Sequence, residues 1–156
     1  MPDFPFTVGP KIERRPVHPT IDTVQISELV DQFYTKIRAD ERLALLFAEG
    51  MARDWPAHLD RMKAFWRSVL LKTGEYKGKP VPAHTKLAEI KTEDFQRWLF
   101  LFEETAIELF DPAAVPIVLE TAERIATSLW LARNPDPFTN PPVWSDLRQA
   151  AAKTSP

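Results

Sequence analysis

Cysteine is missing from all 156 residues, which excludes disulfides, thiolate nucleophiles and any zinc or iron–sulfur site built on cysteine. Glycine is scarce, with four residues. No apolar run approaches the roughly eighteen residues that a membrane-spanning helix needs, so no membrane association is expected. Neither sign of charge dominates: twenty Lys and Arg face twenty-two Asp and Glu, a formal net charge of −2. A sequence-independent nucleic-acid binder would carry a basic field, and this balance predicts none. The first ten residues lack the basic start and apolar stretch of a secretory signal. They hold Asp3 and three prolines instead, and a cytoplasmic location is expected.

What is present describes a globular chain. Hydrophobic residues make up 44% and charged residues 27% of a length suited to one domain. Such a chain buries roughly two-thirds of its unfolded surface and needs no metal or disulfide staple. Fifteen prolines and five tryptophans are the compositional oddities. Five prolines fall in residues 1–20 and five in 135–156, leaving five for the 114 residues between. Proline fixes its own φ and pushes its predecessor out of the helical region. The expected organisation is therefore a proline-rich N-terminal arm (1–20), a folded body (21–134) and a proline-rich C-terminal arm (135–156). The arms carry Phe4, Phe6, Phe138 and Trp144. Aromatics of this kind either dock back on their own domain or meet a partner.

Within the body the apolar period is helical. One stripe reads Ile26, Leu29, Val30, Phe33, Tyr34, Ile37. A second helix is expected from Asp54 as N-cap, with Pro56 in its first turn and Gly74 as its stop. Its stripe is Trp55, His58, Leu59, Met62, Trp66, Val69, Leu70. A third follows Thr92 with Phe95, Trp98, Leu99, Phe102, Ala106 and Leu109. A fourth follows Asp111-Pro112 and carries Val118, Ala122, Ile125 and Leu129, with Pro116 able to move its start later. The proline- and glycine-marked stretch Thr73–Lys91 has room for one short helix, near Pro82–Ile90. The expected fold class is all-α, four main helices and a short one.

Polar groups on apolar stripes carry the case for chemistry. His58 shares the inward face of Trp55 and Met62, where a histidine is by itself more often a satisfied core residue than a ligand. His84, Tyr34 and Trp98 each have an equally plain structural reading. Together they mean more. His58 and His84 stand twenty-six residues apart on separate helices, unlike compact zinc spacing. They do suit opposite sides of a flat cofactor whose metal has two axial positions, set among large apolar and aromatic side chains.

The sequence resembles the group III truncated haemoglobins over most of residues 21–133. The resemblance rests on Phe33-Tyr34, Ile37-Arg38 and Asp40, on Leu46-Phe47, and on Trp55, His58 and Phe65-Trp66 running into Val69-Leu70-Leu71. It continues through Gly74, Tyr76, Gly78, Pro80, His84 and Leu87, and closes on Phe95, Trp98-Leu99 and Leu101-Phe102-Glu103-Glu104. It implies a shortened globin, a two-over-two helical sandwich, holding haem b (iron protoporphyrin IX). In that frame His84 matches the proximal iron ligand, and Tyr34, His58 and Trp98 match the polar distal residues. Phe47 matches the aromatic packed on the haem face, Met62 lines the distal side, and Leu87 belongs to the cofactor contacts. Arg61 and Tyr76 are candidate partners for a haem propionate.

Dioxygen, nitric oxide or peroxide are the ligands such a site implies, with an electron-donating reductase as a further partner. Hydrogen bonds to a charged group contribute about 1.5–3 kcal/mol each, so two donors would slow dioxygen loss roughly 10²- to 10⁴-fold. That suits redox chemistry on the ligand, such as nitric oxide oxidation or peroxide activation with His58 as acid–base group, better than carriage. A simple dioxygen carrier, store or gas sensor is the alternative, and a helical bundle without cofactor is the third reading.

Overall fold

The computed structural model describes residues 16–51, 55–76, 90–134, 136, 138 and 140–145, and for 47–51 the backbone alone. Five helices lie among them: α1 (Thr23–Ala39), α2 (Glu41–Met51), α3 (Trp55–Leu70), α4 (Thr92–Leu109) and α5 (Val115–Arg133). None of the described helices is long and apolar enough to cross a membrane.

The start of α1 is fixed by a reciprocal cap. Asp22 Oδ1 accepts from the Gln25 N–H at 2.8 Å, and Gln25 Oε1 accepts from the Asp22 N–H at 3.0 Å. Gln25 Nε2 also donates to the Leu109 carbonyl at 3.2 Å, tying the head of α1 to the tail of α4. All six residues of the expected α1 stripe are buried. As a result α1 is the central element, packed on α2, α3 and α4, while α4 packs on α5. The α1–α3 pair and the α4–α5 pair form the two layers of an all-α sandwich, joined where Phe33, Trp66, Leu99 and Phe102 meet in the core.

Helix α2 is a correction to the sequence expectation of four main helices. Asp40 closes α1 and opens α2: its Oδ2 accepts from the Leu43 N–H at 3.0 Å, and its Oδ1 from Arg97 Nε at 2.8 Å. Only Leu43 and Leu46 of the described α2 side chains are buried, too short a stripe to stand out by period. Side-chain ties substitute for hydrophobic area. Arg42 donates through Nε and Nη2 to the two oxygens of buried Asp94 at 2.9 and 3.0 Å. Asp94 Oδ2 also accepts from the Lys91 N–H at 2.8 Å, so one carboxylate fastens α2 and starts α4.

Two boundaries differ from expectation. The fourth expected helix, α5, starts at Val115 with Pro116 in its first turn, because Asp111 is spent on the preceding turn, accepting from the Ala113 N–H at 2.9 Å. Helix α3 ends at Leu70, ahead of Gly74; the turn passes through Lys72 and Gly74, both in the left-handed region at φ 63° and 72°. The expected cap Asp54 and the short helix near Pro82–Ile90 fall outside the described residues, apart from Ile90. The aromatics of the C-terminal arm part company. Trp144 is a core member, 4% exposed, with Nε1 donating to Thr127 Oγ1 at 3.0 Å and its ring 6.0 Å from Phe95. Phe138 does not dock and stands 89% exposed. At the other end the Val17 N–H donates to the Leu70 carbonyl at 2.8 Å.

Candidate functional site

Tyr34 comes from the last turns of α1 and His58 from the first turn of α3, and both are buried at 3% exposure. Their rings meet edge to face, centroids 5.2 Å apart at 89°. Trp55, one turn before His58 on the same face of α3, stands 5.5 Å from the imidazole and 6.1 Å from the Tyr34 ring. The Arg38 guanidinium, one turn beyond Tyr34 on α1, lies 4.7 Å over the Trp55 ring. Burial, with a smaller repulsion from the Tyr76 phenol, pushes the Tyr34 phenol well above the usual tyrosine range. It is therefore a neutral O–H at any physiological pH, able to donate a hydrogen bond.

Trp98 on α4 joins this group through Phe33. Phe33 sits edge-on to Tyr34 at 5.2 Å and to Trp98 at 5.3 Å, and Trp98 in turn stacks on Phe102 at 5.8 Å. Tyr34, His58 and Trp98 thus belong to one continuous aromatic cluster drawn from three helices. Met62, buried, follows His58 one turn on along α3. Arg61 is exposed on α3, beside that face and outside the cluster. Tyr76 is half-buried against Phe65, rings 5.2 Å apart, and its N–H donates to Ser68 Oγ at 2.8 Å. His84 and Leu87 lie outside the described residues, as does the side chain of Phe47.

The chemistry of the cluster fits one face of a haem pocket. A flat apolar disc with a small polar ligand at its centre calls for aromatic walls and neutral donors. Tyr34, His58 and Trp98 offer an O–H, an imidazole and an indole N–H among Phe33, Met62, Trp66 and Phe102. Sequence reading placed Trp55 on the buried stripe and counted Trp55 and Arg38 among the residues that carry the family resemblance, but gave neither a part in the site. The signal for both was the spacing: Trp55 three residues before His58, Arg38 four after Tyr34.

Comparison with known proteins points the same way. No family model matches the chain. The group 3 truncated haemoglobin ctb of Campylobacter jejuni is 32% identical over 111 residues, covering 69% of this chain and 87% of that protein. The crystal structure of a group III truncated haemoglobin from Campylobacter jejuni superposes with a TM-score of 0.68 at 28% identity, covering 79% of this chain and 98% of that one. The all-α sandwich is thus the two-over-two globin fold.

Proposed function

This chain belongs to the group III truncated haemoglobins, hence to proteins that bind diatomic ligands at haem, and we propose that it holds haem b through His84 and turns the bound ligand over in redox chemistry. Tyr34, His58 and Trp98 would supply the polar groups on the ligand side, Phe47, Met62 and Leu87 would hold the apolar disc, and Arg61 and Tyr76 would pair with its propionates. When bound, haem supplies an iron that takes a diatomic ligand and shifts electron density onto it.

The observation that carries the reading is the buried Tyr34 phenol, a neutral O–H donor set edge-on to His58. A neutral donor fixed before the ligand arrives stabilises negative charge there without reorganisation. With Trp98 as a second donor, ligand loss slows roughly 10²- to 10⁴-fold. His58 beside them is placed to move a proton. Slow release disfavours carriage and favours nitric oxide oxidation or peroxide activation, with an electron-donating reductase as partner. The dioxygen dissociation rate of the reduced protein tests this by stopped flow. A slow rate supports the redox reading, and a fast one leaves a carrier or sensor.

A further inference from the structure

We propose that Arg38 and Trp55 form a latch that holds the His58 ring inward against Tyr34, making Trp55 a positioning residue for the site; this rests on the reading of Tyr34 and His58 as ligand-facing. From solvent inward the order is exposed Arg38, half-buried Trp55, then buried His58 and Tyr34. The guanidinium lies 4.7 Å over the indole, and the indole stands at 80° to the imidazole with centroids 5.5 Å apart. Trp55 also reaches the Tyr34 ring at 6.1 Å.

Two helical pairs interlock to make this arrangement. Arg38 follows Tyr34 by one turn on α1, and Trp55 precedes His58 by one turn on α3. The stacked cation therefore ties the start of α3 to the end of α1 across the pair of residues that faces the ligand. An outward swing of His58 gives up its edge contacts with Tyr34 and Trp55 together, and Trp55 cannot make way without leaving Arg38. Held so, the imidazole stays aligned with the phenol while ligand is present.

The test is the accessibility of His58 in the full chain loaded with ferric haem. Diethyl pyrocarbonate carbethoxylates exposed imidazoles, and peptide mass spectrometry resolves His58 from His18, whose exposed hydrogen bond to Thr20 makes it an internal reference. Trp55→Ala should raise His58 modification relative to His18 by roughly tenfold or more. Trp55→Phe, which keeps a ring under the cation, should stay close to wild type. Arg38→Met should raise it by roughly threefold. Wild-type protection of His58 in a folded Trp55→Ala protein overturns the latch. If that variant does not fold, unchanged protection in Arg38→Met, a change at an exposed position, overturns it instead. The Soret band separates the two proposals: a wild-type chain that takes up no haem refutes the functional reading, while His58 protection can still be compared across the variants without cofactor.

Discussion

The Tyr34 ring and the His58 imidazole stand perpendicular with their centroids 5.2 Å apart, one carried by α1 and the other by α3. The edge of one ring addresses the face of the other, a favourable arrangement for aromatic pairs. It brings a phenol O–H and an imidazole together inside the core, where burial favours the neutral phenol. The same crossing sets the packing of the α1–α3 layer and, in the proposed function, the ligand chemistry.

Removing the phenol oxygen separates these two roles. Tyr34→Phe keeps the ring beside His58 and loses the donor, so stability should change by about 1 kcal/mol while the dioxygen dissociation rate rises roughly tenfold or more. Trp98→Phe should act in the same direction. The double variant should fall short of the product of the two, because in the proposed site both donors address one ligand. Stopped-flow dissociation of the reduced wild type and three variants checks the set.

Trp144 should matter far more than its place in a proline-rich tail suggests. Its ring is 4% exposed and its indole N–H is bonded to Thr127. Trp144→Ala should cost about 3–5 kcal/mol, a fall in Tm of roughly 10 °C. Trp144→Phe should cost about 1 kcal/mol by losing the hydrogen bond. Phe138→Ser, at a position 89% exposed, should stay within about 0.5 kcal/mol of wild type. Thermal melts of the three proteins distinguish a docked aromatic from a free one.

Asp40 should give acid stability a clear sign. Burial pushes its carboxyl up, but the Leu43 N–H and the Arg97 guanidinium outweigh that and hold it below its ordinary value of 3.8. A depressed folded value stabilises fully above the unfolded one and is lost as pH falls through the folded one. Asp40→Asn should therefore lower stability at pH 7 by about 1 kcal/mol, and the gap to wild type should close in acid. Glu75, drawn to about 2 by the Arg67 guanidinium and then by Thr73, should titrate late in the same experiment. Denaturant melts across the acid range read both.

How far the sequence reached depended on the length of each stripe. Helix α1, with six inward residues and the Asp22–Gln25 cap, was legible because period and cap agree. Helix α2 was not, since two buried leucines make no period and its anchors, Arg42 to Asp94 and Asp40 to Arg97, join residues more than fifty positions apart. The start of α5 moved because the Asp111 carboxylate serves a turn ahead of it. At the site, the inward positions of Tyr34 and His58 followed from spacing alone, whereas their perpendicular meeting depends on how α1 crosses α3. Arg38 over Trp55 is a contact between two helices that no single stripe encodes.

The central claim is that His84 holds the haem and that Tyr34, His58 and Trp98 face it from the other side. It is tested most directly by titrating ferric haem into wild type, His84→Ala and His58→Ala and recording the Soret region of each. Wild type and His58→Ala should each give a sharp band at one equivalent, and His84→Ala should give one only when imidazole is added. A His84→Ala protein with the wild-type spectrum, beside a His58→Ala protein that has lost it, would contradict the account and invert the two faces.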